Sequence, residues 1–264
     1  MSNRLQISIE NHVAELVLNR PEKHNAVDIR MFDELAEAGK HLAAERSVRA
    51  VVLSGAGENF CAGIDVSIFS EPGDAIDPAS MAPQAGSDAN RFQRAAYVWR
   101  EIPVPVVCAI RGVAFGAGAQ IALAADLRYA APDAKLSIME IRWGLIPDLG
   151  ISVTASGLIR EDRLRELAYT GRVVEAPEAL ELGLVTALHD DPLRAARQTA
   201  RLIAARSPDA IRAMKRLFNE RRNLDAGQSL ALEAKLQSRV IGQPNQLEAA
   251  HANSEGREPV FGED

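Results

Sequence analysis

A continuous apolar run at residues 104–110 passes directly into a glycine-studded segment, Gly112 to Gly118, and then into a helix that the spacing carries through Leu123. An apolar run of this length without polar alternation predicts a buried strand. A buried strand feeding a helix through small residues points to a β/α core. The flanking sequence agrees. Residues 6–9 and 13–18 predict two strands around a turn at Glu10, Asn11 and His12. Asp28 is placed to N-cap a helix reaching about Arg46, with Phe32, Leu35 and Leu42 on one face. Residues 50–53 belong to a β-branched run closed by Ser54-Gly55-Ala56-Gly57. A further helix spans about Asn90 to Arg100, and strands follow at 127–130 and near Leu136.

Beyond Ile151 the chain turns helical, with helical spacing at residues 160–169, 192–206, 207–221 and 225–241. Ser207 stands ahead of Pro208, a cap residue followed by proline at the first helical position. Strands therefore come first and helices after. The division expected is a β/α core over residues 1–195 and a helical region over 196–264. Between Ser67 and Ser87 periodicity disappears under Pro72, Gly73, Pro78, Pro83 and Gly86, which predicts a functional lid or a disordered stretch.

A formal net charge of −6 argues against a general nucleic-acid binder, because phosphate affinity comes from clustered Lys and Arg. The first ten residues carry no signal-like apolar core, and no run approaches the length of a membrane span. Cys61 and Cys108 are too few for a disulfide framework, so a cytoplasmic, reduced setting is expected. P-loop, G-x-G-x-x-G, G-x-S-x-G, H-E-x-x-H and paired C-x-x-C patterns are absent. The five histidines show no ligand spacing, so no metal site is expected.

Two glycine-centred segments remain as candidate chemistry. One is Phe60-Cys61-Ala62-Gly63-Ile64-Asp65, after a strand and its turn. The other runs from Gly112 to Gln120. Small residues admit a ligand close to the backbone, and a helix start leaves N–H groups unpaired. Two such donors converging on one oxygen form an oxyanion hole. Tight helix–sheet packing with no ligand would use the same residues.

Residues 15–26, Glu-Leu-Val-Leu-Asn-Arg-Pro-Glu-Lys-His-Asn-Ala, resemble the N-terminal signature of the crotonase (enoyl-CoA hydratase/isomerase) family. Residues 49–65 are similar to its first oxyanion segment, 112–126 to its second, and 136–150 to its catalytic loop. The resemblance covers nearly the whole chain, in order. It implies an α/β fold, a spiral of β-β-α units with a C-terminal helical trimerisation region, and a homotrimer or dimer of trimers. It also implies an acyl-CoA thioester as substrate, with coenzyme A part of that substrate and no separate cofactor. The implied oxyanion donors are the N–H groups of Ile64 and Ala117, where the family usually has glycine at the second. Lys23, His24, Ala26, Ala62 and Asp65 would contact the coenzyme A moiety, with Gly63 and Gly116 lining the same site.

Three positions bear on the reaction. Hydratases of the family carry glutamates at the positions of Gln120 and Glu140; here Glu140 is kept and the first is an amide, which cannot carry a proton. Asp148 stands where hydratases commonly have glycine, and an acid there resembles dienoyl-CoA isomerases. Those enzymes, however, have an aspartate where this chain has Gln120. The resemblance thus implies isomerisation of a dienoyl-CoA by Glu140 and Asp148. Hydration by Glu140 with a water held by Gln120, and a non-catalytic acyl-CoA binder, stay open beside it. Trp143 is placed to line an acyl pocket or to pack in the core. Cys61 lacks a neighbouring base and reads as a packed residue.

Overall fold

The opening hairpin is set by its turn. Asn11 and His12 both take positive φ, 49° and 67°, as a two-residue type I′ turn requires. They join β1 (Leu5–Glu10) to β2 (Val13–Leu18) antiparallel, with Glu10 opposite Val13. The computed structural model describes residues 4–69, 78–83 and 87–262. Next, β3 (Ala50–Gly55) and β4 (Val106–Ile110) extend the sheet in parallel pairs. A short β5 (Val113–Phe115) leaves it, β6 (Leu127–Ala130) returns beside β4, and β7 (Lys135–Ser137) and β8 (Val174–Glu175) join β5. Finally β9 (Ala187–Leu188) pairs with β6. Among the described residues the result is a six-stranded sheet ordered β1-β2-β3-β4-β6-β9 and a three-stranded sheet ordered β5-β7-β8.

Helices fill the connections: α1 (Ile29–Ala44), α2 (Arg91–Glu101), α3 (Ala117–Leu123), α4 (Ile151–Thr154), α5 (Glu161–Thr170) and α6 (Ala176–Glu181). They are followed by α7 (Pro192–Ala204), α8 (Pro208–Glu220), α9 (Ala226–Val240) and α10 (Pro244–Glu255). Asp28 caps α1 as expected, accepting from the Met31 N–H at 2.8 Å. The helix stops at Ala44, short of Arg46, because Glu45 is extended and its carboxylate takes both the N–H and the hydroxyl of Ser47. Asn90 and Gln93 form a reciprocal capping box on α2. The run at 104–110 becomes strand only from Val106, since Pro105 has no N–H to give a ladder. Ser207 occupies the cap position of α8, yet its hydroxyl is buried and makes no cap hydrogen bond; proline at the first position starts that helix. The expected lid falls partly on residues 70–77 and 84–86, which lie outside the described residues.

Both faces of the central strands are covered. Val51, Leu53, Val106, Cys108 and Ile110 pack with Leu35 and Leu42 of α1 and Trp99 of α2. On the opposite face Val13, Ala50, Val52, Val107 and Ala109 meet Ala196, Ala200 and Ala204 of α7. Small residues spaced four apart let this helix lie close to the sheet. The expected division at residue 195 falls within α7. Helix α8 is tied down by Lys215, which is 5% exposed. Its ammonium donates to the Trp99 and Val104 carbonyls at 3.0 and 2.8 Å and pairs with Asp126 at 2.9 Å. Burial pushes the pKa of this lysine down, and Asp126 opposes the shift.

Candidate active site

Behind the first glycine segment sits Asn25, fully buried with φ of 57°. Its amide donates to the Ala56 and Asn59 carbonyls and accepts from the Arg20 N–H, which fixes the turn after β3. The chain then runs extended along β5: Cys61 donates to the Val113 carbonyl and accepts from the Phe115 N–H. Next Gly63 accepts from the Val27 N–H and Asp65 donates to the Val27 carbonyl. Successive amides of an extended chain point to opposite sides, so the N–H of Ile64 faces away from Val27.

The second segment arrives from the other side. Gly116, with φ of 49°, precedes α3 and donates to the Ser137 carbonyl; Ala117 is the first helical residue. Among the described residues neither the Ile64 N–H nor the Ala117 N–H has an acceptor. The two segments touch at Gly63, whose φ is 103°. A Cβ there would stand 2.9 Å from the Phe115 carbonyl oxygen, so only glycine fits.

Both segments open on a cavity of about 130 Å³. Its walls are mainly apolar, with Phe32, Val66, Met139, Trp143, Leu145 and Ile146 around Ile64 and Ala117. Two acids enter it. Glu140 begins a short 3-10 helix after β7, and its Oε1 lies 3.5 Å from where a Cβ of Gly116 would be. Asp148 sits at the end of the loop that follows. Among the described residues lining the cavity, these are the only titratable side chains. Burial raises the pKa of Glu140, and the nearby Asp148 adds to the shift against a hydrogen bond from Gln120. Burial raises that of Asp148 as well.

Gln120, 1% exposed, lines the same cavity. Its amide nitrogen donates to Glu140 Oε1 at 2.6 Å, and its oxygen accepts from the Leu149 N–H at 2.8 Å. The other oxygen of Glu140 is buried without a partner among the described residues.

The remaining expected residues divide by position. Ala62, Gly63, Ile64, Gly116, Ala117, Gln120 and Trp143 line the cavity. Lys23 and His24 are exposed and Ala26 is half-buried; none of the three lines the cavity, but the Ala62 N–H donates to the His24 carbonyl. Asp65 has its carboxylate engaged by Arg20 at 3.0 Å and by Ser67 at 2.8 Å. Trp143 is 54% exposed, 6.4 Å from the Phe69 ring, and so is not a core residue. Cys61 is fully buried, and burial pushes its thiol up to about 12, which removes it as a nucleophile. Phe32, Val66, Met139, Leu145, Ile146 and Leu149 were not singled out by sequence. Phe32 read only as a core position of α1, although Leu145, Ile146 and Leu149 belong to the loop that carries Asp148.

Comparison with known proteins gives the family. The family model described as Enoyl-CoA hydratase/isomerase matches residues 8–264. The chain belongs to the enoyl-CoA hydratase/isomerase family. It is 33% identical to the 1,2-epoxyphenylacetyl-CoA isomerase of Escherichia coli, over 96% of each chain. It is 32% identical to the mitochondrial Delta(3,5)-Delta(2,4)-dienoyl-CoA isomerase of Homo sapiens, over 95% of this chain and 79% of that one. The solved structure of an enoyl-CoA hydratase from Bacillus anthracis superposes with a TM-score of 0.90 at 29% identity, covering 99% of this chain and 100% of that one. The crotonase fold expected from the sequence is therefore present, with helices at its C-terminal end. As a member of this family the protein is an enzyme acting on acyl-CoA. No described helix is long and apolar enough to cross a membrane.

Proposed function

We propose that this family member moves a double bond along an unsaturated acyl-CoA, with a 3,5-dienoyl-CoA as the substrate class and Glu140 and Asp148 as the proton carriers. The observation that carries the reading is the pair itself: two carboxyls, both raised by burial, in one apolar cavity with two bare N–H donors. The thioester oxygen accepts from Ile64 and Ala117, so negative charge on it is stabilised as the α-proton leaves. Glu140 adjoins Gly116 and hence the thioester end. Ionised, it takes the proton from C2; the electron pair spreads over the dienolate. In the acting state the two acids share one proton, carried by Asp148 while Glu140 is ionised, and Asp148 delivers it to C6. The double bonds end at positions 2 and 4, and the proton on Glu140 returns to Asp148 directly or through solvent.

Hydration would leave water activation to Glu140 and Gln120, and a neutral amide can hold a water but cannot take its proton. A pure binder has no use for two desolvated acids. The coenzyme A moiety would run along Lys23, His24, Ala26 and Ala62, with Asp65 holding that wall in place through Arg20.

Asp148→Asn is expected to lower 3,5-dienoyl-CoA isomerisation by about 10²–10⁴-fold, the usual weight of general acid–base catalysis. Acyl-CoA affinity should stay within about tenfold, or 1.4 kcal/mol. Isomerisation followed by ultraviolet absorbance decides the matter, and turnover near wild type would move Asp148 out of the mechanism.

The same reading makes the protein a homotrimer or a dimer of trimers. Met214, Phe218, Leu230, Ile241 and Leu247 of the C-terminal region are between 45% and 65% exposed, an apolar surface without cover in one chain. Light scattering should give a mass three or six times that of the chain, and a monomer at micromolar concentration would refute the assembly.

A further inference from the structure

The amide of Gln120 can sit in only one orientation. The Leu149 N–H is a donor alone, so the oxygen of Gln120 must face it, and the amide nitrogen is thereby turned toward Glu140. The side chain is buried on α3, a helix with no titratable residue of its own. It is fixed at both ends by groups that belong to the loop carrying both acids.

We propose that Gln120 is a positioning residue that sets both proton carriers at once. It clamps Oε1 of Glu140, which leaves Oε2 as the one oxygen free to reach substrate, and it anchors Asp148 through the adjoining Leu149 N–H. The neutral amide does this at every pH. A carboxyl at position 120 would do so only while protonated, because two ionised carboxylates 2.6 Å apart repel. The charged or titratable groups around this point are few. Glu140 and Asp148 face it across the cavity. Cys61 packs behind α3 at Gly118, with its thiol pushed up to about 12 and so neutral. Tyr97 of α2 packs at Gly150, at the end of the loop.

The inference rests on Glu140 as proton carrier, and its test is separable from the isomerase reading. Exchange of the α-protons of butyryl-CoA with deuterium needs only Glu140 and the oxyanion donors, and no double bond has to move. In the wild type the exchange rate should rise through one ionisation to a plateau. Gln120→Glu should show the same rise followed by a falling limb at higher pH, a bell produced by loss of the proton shared by the two carboxyls. Gln120→Met, which fills the space without either hydrogen bond, should keep the wild-type shape with a plateau about 100-fold lower, as a misplaced group of this kind commonly costs. Hydrogen–deuterium exchange of the Leu149 amide, read by mass spectrometry, should accelerate at least tenfold in Gln120→Met and remain slow in Gln120→Glu.

A plateau in Gln120→Met within about threefold of wild type, or a Gln120→Glu profile without the falling limb, would overturn the clamp. So would unchanged Leu149 amide exchange in Gln120→Met, a readout that holds even if butyryl-CoA proves a poor probe. If the profiles are as expected and dienoyl-CoA is still not isomerised, the isomerase reading fails and the clamp stands.

Discussion

Glu140→Gln is expected to abolish proton transfer and, at neutral pH, to make the protein more stable. The catalytic loss should be at least 10²–10⁴-fold, because the base that starts the reaction is gone. The stability gain follows from linkage. The pKa of Glu140 is raised in the folded state by burial and by Asp148. Between the unfolded and folded values the folded protein binds more protons, so stability falls as pH rises through that window. Above it, the full cost of holding a buried carboxylate remains. The neutral amide avoids this cost, and a Tm increase of about 2–4 °C, the response of a chain this size to about 1 kcal/mol, is expected at pH 7. Below the ordinary carboxylate range both proteins are neutral at this position and the difference should vanish. Thermal melts at the two pH values, beside an isomerase assay, check both parts; an equal or lower Tm at pH 7 would show that Glu140 is adequately solvated.

Ala117→Pro is expected to lower turnover by about 10²–10³-fold, the weight of one oxyanion donor. Ala117 is the first residue of α3. This is the helical position at which proline is best tolerated, because the N–H it lacks takes no part in the helix. The substitution therefore removes a hydrogen that has no acceptor among the described residues and leaves the helix able to form. Turnover close to wild type, with a wild-type circular dichroism spectrum, would separate the Ala117 N–H from the reaction.

Much of this was legible before any coordinates. The buried strand ending at Ile110, the Asp28 cap and the two glycine segments each carried a local signal, and the structure places both segments at one cavity. What stayed hidden had no local signal. β5 is three residues between glycines and exists because β7 pairs with it, with a further bridge to Cys61 across more than fifty positions. α10 begins at Pro244, a start signal that its weak amphipathic pattern did not reinforce. Sequence named Gln120, Glu140 and Asp148, yet could not show that the first bonds Glu140 and the Leu149 N–H, since such bonds leave no trace in residue spacing. The pocket walls at Leu145 and Ile146 were missed because exposed apolar loop residues read as incidental until a cavity is seen beside them.

The alanine face of α7 and the lysine on α8 bear on how the chain is made. Strand β3 is complete at residue 55, but the helix that covers one side of it ends at 204, and the lysine that fixes the next helix stands at 215. Roughly 150 residues separate strand from cover, which at ribosomal speed is on the order of 10–30 s. Over that interval Val52, joined by Val107 and Ala109 once β4 is made, lacks the alanine face that buries it. The nascent sheet thus emerges with a bare apolar side, so a stalled or truncated product ending before Ala204 should be a substrate for chaperones.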